Sequence, residues 1–395
     1  IGATFVDPAP GIMSHYRVFI VCGGTGGHLA PGIAVAEGLM KAGHEVRLLV
    51  SRKEVDSRLL KKYPNIPYTS VAAAPLILRP VSIVRFLILQ AAGTLGCISL
   101  FQREKPNLVM GFGGFTSFGA VMAATLLDVP VVLHEANRKV GRAVKLLKRF
   151  AYRVSLPEGI RLRGMDLRRM DHHGFPVRDE IRRLPRETAA KQLGISSEGK
   201  WLMVLGGSQG ASALNQWVRE NFESLGGEGV NIYCLTGLGK GSEGTVETRS
   251  AAGKTVKVVY QPFTDNMAAV ISAADLVVSR AGAGSIAELI RCVKPSILIP
   301  YPYAADNHQL ANARHLESHG GCVVVQQNSL NTLRDEVRDV IFNDWLLEKF
   351  RYNLKRLGET NSRDLIVRDL LSTMDDFSAG RIRWGRTRFL EAPTL

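Results

Sequence analysis

The stretch VFIVCGGTGGHLAPGIAVAEGL, residues 18–39, runs from an apolar segment through a glycine-rich turn into a helical pattern. Its opening VFIVC is bulky and apolar throughout, as in a strand that is buried on both faces. Apolar side chains then recur at helical spacing after Pro31, and Gly43 is placed to end that helix. A buried strand that passes directly into a helix predicts a parallel α/β sheet.

The same alternation recurs along both halves of the chain. Near-continuous Val, Ile and Leu runs, separated by helical stretches, predict strands at 17–22, 45–50, 108–112, 130–135 and 153–157, and again at 201–207, 231–237, 256–263, 274–280 and 294–302. Two such sets predict two doubly wound, Rossmann-like domains with parallel sheets. The boundary is expected within 155–185, which is rich in charge, Gly and Pro and has little strand pattern.

The composition is that of a soluble globular protein with an uneven charge. Of the 395 residues, 46% are hydrophobic and 22% charged, and the net charge is +14. The first 190 residues carry 27 basic and 14 acidic side chains, and the rest carry 23 and 22. A basic half suits nucleic acid, an anionic membrane surface or a phosphorylated substrate, and a merely soluble basic surface is the alternative. The five cysteines are far apart, which argues for reduced thiols and against a zinc site.

The apolar stretch 81–101 is about long enough to span a bilayer. Arg85 and Gln90 lie inside it, and a spanning helix would interrupt the alternation of strands and helices. We therefore expect either a buried helix or a helix whose exposed apolar face dips into a membrane, and the sequence leaves both open.

Four glycine-rich segments follow predicted strands, at 22–28, 111–119, 205–212 and 279–285. Each leads into a helix whose first amides have no partner within the helix, so each is a candidate phosphate site. Among these four segments, the dinucleotide pattern G-x-G-x-x-G/A matches only at Gly282, Gly284 and Ala287, without an acidic residue at the end of the next strand, which argues against a dehydrogenase. The complete P-loop pattern G-x-x-x-x-G-K-S/T of an ATPase does not occur, because Gly253, Lys254 and Thr255 match only its end and Thr248 stands where its first glycine is required. Glu288, one turn into the last of these helices, is a candidate for ribose hydroxyls or an ordinary first-turn glutamate.

Seven motifs follow one another along the chain: GGTGGHLAPGIAVAEGL (23–39), GFGGFTSFG (111–119), HEAN (134–137), GFPVR (174–178), GGSQGASALN (206–215), RAGAGSIAEL (280–289) and DNHQLANA (306–313). In this order they resemble the motifs of MurG-type N-acetylglucosaminyltransferases, which convert lipid I to lipid II in peptidoglycan synthesis. The resemblance covers residues 17 to 376. Ala136 departs from it, because the family has glutamine at this position, and Phe112, Phe115 and Phe118 make the second glycine loop bulkier.

The resemblance implies a GT-B fold, in which two Rossmann-like domains face each other across a cleft. The implied parts are an extension (1–14), an acceptor- and membrane-facing domain (15–178), a UDP-GlcNAc-binding domain (179–360), a helix that returns to the first domain (361–376) and a tail (377–395). The implied acceptor is undecaprenyl-diphosphate-linked MurNAc-pentapeptide, at the cytoplasmic face of the bacterial inner membrane. Other cell-wall synthesis proteins are candidate partners, and nucleic acid is not expected.

The resemblance also implies roles for individual residues. Residues that would line the cleft or contact donor and acceptor groups are Thr25, Gly26, Gly27, Asn137 and Arg178. Residues that would hold the diphosphate are Ser208, Gln209 and the amides of Ala283, Gly284, Ser285, Ile286 and Ala287. Residues that would surround the nucleoside and the sugar are Phe263 and Thr264 at the uracil, Glu288 at the ribose, and His308 and Gln309 at the sugar.

The implied reaction inverts the anomeric carbon of GlcNAc in a single displacement by the C4 hydroxyl of MurNAc. The attacking hydroxyl needs a base that works near neutrality, and His28 is the candidate. Glu135 is its rival or the residue that orients it. The leaving diphosphate is stabilised by amide dipoles, so we expect neither a metal nor another cofactor. Another GT-B UDP-sugar transferase with a lipid acceptor and a UDP-GlcNAc 2-epimerase remain as alternatives.

Overall fold

A computed structural model of the chain describes residues 15–23, 26–51, 54–75, 80–207, 211–241 and 243–382. These residues form two seven-stranded sheets, each covered by helices on both faces. The two-domain, doubly wound architecture predicted from the sequence is confirmed, and the part with the first sheet is called the first domain below.

The first sheet is parallel throughout, with the strand order β3-β2-β1-β4-β5-β6-β7. Its strands are β1 (Arg17–Val21), β2 (Glu45–Val50), β3 (Tyr68–Ser70), β4 (Leu108–Gly111), β5 (Val131–His134), β6 (Arg153–Leu156) and β7 (Met170–His172). Its helices are α1 (Gly26–Lys41), α2 (Glu54–Lys61), α3 (Pro80–Glu104), α4 (Ser117–Leu126) and α5 (Arg142–Leu147). The strands predicted in this half are all present.

The second sheet has the order β10-β11-β9-β8-β12-β13-β14, with one antiparallel pair at its β10 edge. Its strands are β8 (Lys200–Leu205), β9 (Val230–Leu235), β10 (Gly244–Arg249), β11 (Thr255–Gln261), β12 (Leu276–Ser279), β13 (Ser296–Leu298) and β14 (Cys322–Val324). Its helices are α6 (Arg186–Leu193), α7 (Ser212–Gly227), α8 (Met267–Ala273), α9 (Ala283–Arg291), α10 (His308–Ser318), α11 (Leu333–Ile341) and α12 (Asp344–Leu357).

The last helix, α13 (Ser362–Ser378), crosses back and packs on the first domain. Its buried face, Ile366, Val367, Leu370 and Met374, shares one core with β1, β2 and α1. Just before it, the side-chain amide of Asn361 accepts a hydrogen bond from the Val177 N–H (3.2 Å) and donates one to the Val177 carbonyl (2.8 Å). The two segments that pass between the domains are therefore held side by side.

The apolar stretch 81–101 lies in helix α3, which has one packed face and one exposed face. Its inner face is packed: Gln90 donates to the carbonyl oxygens of Ala74 (3.3 Å) and Phe115 (3.0 Å), and Phe101 lies in the core. Its outer face leaves Val81, Val84, Leu87, Ile88 and Leu95 exposed. By length and composition alone α3 could cross a membrane, but one flank of it belongs to the domain core. The outer apolar face is therefore exposed and a fully buried helix is excluded, while contact of this face with a membrane stays a prediction.

Candidate functional site

The four glycine-rich segments lie at the topological switch points of the two sheets. In the first sheet the chain order reverses between β1 and β4, and in the second between β8 and β12. The glycine-rich segments directly follow these four strands. Ligands of open α/β sheets bind at the carboxyl ends of the strands beside the switch point. Each domain therefore directs two glycine-rich segments to its ligand-binding edge.

His28 lies in the first turn of α1, after Gly26 and Gly27, where it is half-buried. Gly114, in the second glycine segment, has a φ of +73°, and a methyl group added there would lie 3.3 Å from Nδ1 and Cε1 of His28. The Thr116 hydroxyl ties this segment to the first one by donating to the Gly23 carbonyl (2.7 Å). One edge of the imidazole therefore rests against a backbone that has no side chain, so the position of the ring depends on the glycine.

The Glu135 carboxylate is engaged by its own loop. Oε1 accepts from the Asn137 backbone N–H (2.8 Å) and side-chain amide (3.0 Å), and Oε2 accepts from the Gly141 N–H (2.7 Å). Glu135 is also buried. Through these three hydrogen bonds, Glu135 stabilises the loop that carries Asn137.

Asn137 contacts the second domain through Asn312 of α10. The Asn312 amide donates to Asn137 Oδ1 (3.0 Å) and to the Ala281 carbonyl (3.3 Å), and Asn312 Oδ1 accepts from the Arg138 N–H (2.9 Å). Asn312 is buried and joins the HEAN loop to the segment that precedes α9. Asn312 belongs to the motif at 306–313 but was not predicted as a site residue. Its spacing of three from Gln309 nevertheless places both residues on one helix face.

The amino end of α9 presents open amides toward the switch point. The helix begins at Ala283, and its first internal hydrogen bond runs from the Ile286 N–H to the Gly282 carbonyl (3.0 Å). The prediction that residues 283–287 all supply amides is therefore too broad. Ile286 already donates within the helix and is buried, and Ala287 packs on the core, which leaves the amides of residues 283–285.

Glu288 is paired with Arg178 from the segment between the domains. Arg178 Nη2 lies 3.2 Å from Glu288 Oε1, and the Glu288 side chain is only 17% exposed. Burial raises the pKa of Glu288, and the Arg178 charge partly offsets that effect. Phe175, three residues before Arg178, lies against the α9 terminus, since a methyl group on Gly284 would be 3.0 Å from its ring. The predicted ribose position at Glu288 and the predicted diphosphate position at the start of α9 therefore both lie against residues 175–178.

The remaining predicted donor residues surround the same edge of the second sheet. Gln309 Oε1 accepts from the N–H groups of Ala281 (3.2 Å) and Tyr301 (2.9 Å), so it braces the segments after β12 and β13. His308 Nδ1 is bonded to the Ala305 carbonyl (2.8 Å). Phe263 is half-exposed, and the Thr264 hydroxyl accepts from the Asn266 N–H (3.0 Å).

Thr25, Ser208 and Gln209 lie outside the described residues, so their roles stay predictions. Among the residues that the structure does describe, no group of three or more His, Cys, Asp and Glu side chains could hold a metal ion.

Comparison with known proteins identifies both halves. Residues 18–156 match the glycosyltransferase family 28 N-terminal domain, and residues 201–356 match the glycosyltransferase family 28 C-terminal domain. An Opitutus terrae protein named UDP-N-acetylglucosamine--N-acetylmuramyl-(pentapeptide) pyrophosphoryl-undecaprenol N-acetylglucosamine transferase is 52% identical over 351 residues, which is 89% of this chain and 93% of that protein. A Parasynechococcus marenigrum protein of the same name is 38% identical over 91% of this chain and 99% of its own length.

Solved structures share the fold. The crystal structure of Acinetobacter baumannii MurG aligns with a TM-score of 0.68 at 24% identity, over 91% of this chain and 99% of that one. The glycosyltransferase of kitacinnamycin aligns with a TM-score of 0.66 at 15% identity, again over 91% of this chain.

Proposed function

The chain belongs to glycosyltransferase family 28, and from this premise we infer that it transfers GlcNAc from UDP-GlcNAc to undecaprenyl-diphosphate-linked MurNAc-pentapeptide. The observation that carries this inference is the 52% identity to a transferase of that name over 89% of the chain. The new bond joins GlcNAc to the C4 hydroxyl of MurNAc, and UDP leaves. Incubation with labelled UDP-GlcNAc and a lipid I analogue tests the inference. We expect a GlcNAc–MurNAc lipid from UDP-GlcNAc and little from UDP-Glc or UDP-Gal, and a protein without this activity would contradict it.

The donor binds to the second domain, with its diphosphate at the amino end of α9. Three open amides and the positive end of the helix dipole suit a diphosphate. Glu288 lies one turn further along α9, where its carboxylate can accept two hydroxyl hydrogens of the ribose. Phe263 and Thr264 border the uracil, and Gln309 fixes the segments that face the sugar.

Charge on the departing diphosphate is stabilised by these fixed amides. They are oriented before the reaction begins, and the removal of one such donor typically costs ~10²–10³ in rate. The sugar is attacked from the side opposite UDP, so the configuration at its anomeric carbon inverts. The acceptor hydroxyl therefore approaches from the first domain, whose two glycine-rich segments follow the strands at its own switch point.

His28 is the base that removes the proton from the attacking hydroxyl. Its ring lies against the backbone of Gly114 in the second glycine-rich segment, so this contact sets the position of the imidazole at the switch point. Glu135 serves the site indirectly, because its three loop hydrogen bonds set the position of Asn137. Of the two predicted candidates, His28 is the one that we assign to proton transfer.

The membrane surface is contacted by one layer of the first domain. Helices α3, α4 and α5 cover the same sheet face, opposite α1 and α13. The outer side of α3 is apolar, and residues 138–169, which include α5, hold eleven basic and two acidic side chains. An apolar face beside a basic region favours an anionic bilayer, where each lysine or arginine near the surface contributes about 1 kcal/mol. The chain would thus be a peripheral protein at the membrane that holds its lipid-linked acceptor.

A further inference from the structure

Three consecutive charged residues between the domains, Arg178, Asp179 and Glu180, are all held by side chains of the first domain. Asp179 is paired with Lys41 of α1 and with Arg363 of α13. Its backbone N–H also donates to Glu37 of α1 (3.1 Å). This segment is therefore fixed to the first domain, although it leads into the second.

Lys62, directly after α2, links this segment to the nucleotide side of the cleft. Its ammonium group lies 3.1 Å from Glu180 Oε2 and donates to the Asp265 carbonyl (2.7 Å), with Asp265 Oδ1 at 3.6 Å. Asp265 follows Phe263 and Thr264, the residues that border the uracil in the proposed function. The Lys62 side chain is only 25% exposed. One first-domain ammonium group therefore holds the loop that forms part of the donor site.

Tyr63 supports the pair that faces the ribose. Its hydroxyl accepts from Arg178 Nη1 (3.5 Å), and the same guanidinium contacts Glu180 (2.8 Å) and Glu288 (3.2 Å). Arg178 is buried, so its orientation is decided by these partners and not by water. The Tyr63 ring packs against the first-domain core, which fixes the hydroxyl. Tyr63 thus helps to set the position from which Arg178 meets Glu288.

We propose that Lys62 and Tyr63 are positioning residues for donor binding, which hold the loop at Asp265 and the Arg178–Glu288 pair in the geometry that accepts the nucleoside. This rests on the proposed function, because it assigns the nucleoside to Phe263, Thr264 and Glu288. Neither side chain touches the reacting atoms. Their loss therefore weakens the binding of UDP and UDP-GlcNAc and leaves the chemical step almost unchanged.

The test compares Lys62→Met, Lys62→Arg and Tyr63→Phe with wild type, and Lys61→Met is the matched control. Lys61 is the exposed neighbour at the end of α2, and its replacement removes one positive charge at the adjacent position in the chain. UDP binding is measured by calorimetry, and KM and kcat are measured with UDP-GlcNAc. We expect Lys62→Met to raise the Kd of UDP and the KM about tenfold, or about 1.4 kcal/mol. The kcat should stay within about twofold, and Lys62→Arg should recover most of the affinity.

The dependence of KM on salt concentration is a second measurement, which a purely structural role of Lys62 would not affect. The Lys62 pairs are partly exposed, so added salt should raise the wild-type KM toward that of Lys62→Met, whose own KM should change little. Tyr63→Phe keeps the ring and should weaken UDP binding less than Lys62→Met. Unchanged UDP affinity in Lys62→Met, or an equal loss in Lys61→Met, would overturn the proposal. If wild type itself failed to bind UDP, the proposed function would fall instead.

Discussion

Replacement of Gly114 by alanine tests whether the reaction rate depends on the position of the His28 ring. The effect on kcat is compared with the effect of the same substitution on the stability of the protein. Gly114 has a φ of +73°, and for an L-residue the left-handed region costs roughly 1–2 kcal/mol. The new methyl group would also lie 3.3 Å from Nδ1 and Cε1 of His28, which is closer than an ordinary contact. The ring must therefore move by a few tenths of an ångström. Since a misplacement of about 1 Å can cost ~10²-fold, we expect kcat to fall about three- to tenfold.

Gly113 provides the matched control. Its φ is +80°, so alanine suffers similar backbone strain, but its methyl group would meet only Val144 Cγ2, at an ordinary 3.4 Å. Both variants should therefore lose about 1–2 kcal/mol of stability, or roughly 2–8 °C in the melting temperature of the first domain. Only Gly114→Ala should lose kcat.

The assay is UDP release with both substrates saturating, together with thermal unfolding of each variant. Equal kcat losses in the two variants would show that strain, and not the His28 contact, is responsible. Full activity in Gly114→Ala, with its stability reduced, would show that this edge of the imidazole does not matter for the reaction. Either result would refute the assignment of His28 at this contact.

Three further predictions address the base, the membrane and pH. His28→Ala should lower kcat by ~10²–10⁴ and leave the Kd of UDP within about twofold, and a kcat loss below about tenfold would count against a base. Leu87 is 59% exposed on α3, so Leu87→Asp should reduce co-sedimentation with phosphatidylglycerol vesicles about tenfold or more without changing the melting temperature. Val246→Asp, at a residue 51% exposed on β10, is the control and should bind vesicles like wild type. Equal vesicle binding by all three proteins would argue against docking through α3. Burial lowers the pKa of His134 to about 4, and its Nε2 is bonded to the Gly174 carbonyl (3.0 Å). As pH falls from about 6.5 to 4, the unfolded chain takes up a proton before the folded one, so up to about 3 kcal/mol of stability is lost in that window. His134→Gln keeps a donor but does not titrate, so its unfolding free energy should depend less on pH, and an unchanged slope would contradict this.

The sequence was sufficient for the sheets but not for their edges. Central strands such as β1 and β8 are apolar after their first residue because both faces are buried there, and that pattern is unambiguous. The edge strands β3 and β10 were not predicted. β3 has three residues, and β10 (GTVETR) is almost wholly exposed, so neither carries a hydrophobic pattern. β7 and β14 were also not predicted: β7 lies in the charged stretch that was interpreted as the boundary between the domains, and β14 (Cys322–Val324) has only three residues.

The sequence singles out candidate residues beside the glycine-rich turns, but it does not reveal the contacts that join the two domains. His28 and Glu288 stand next to turns whose composition already suggests phosphate or sugar binding. Lys62 and Tyr63 directly follow a short amphipathic helix, and their partners lie more than 100 residues away. The hydrogen bonds that the Glu135 carboxylate accepts from backbone N–H groups could not be predicted either, since they depend on a loop conformation that a single sequence does not reveal.

The decisive measurement is a crystal structure of the protein soaked with UDP. If fixed peptide dipoles hold the leaving group, the diphosphate oxygens should lie ~3 Å from the open amides of residues 283–285, and the ribose hydroxyls should meet the Glu288 carboxylate. A diphosphate bound to the first domain, or held by a divalent cation away from α9, would contradict the account.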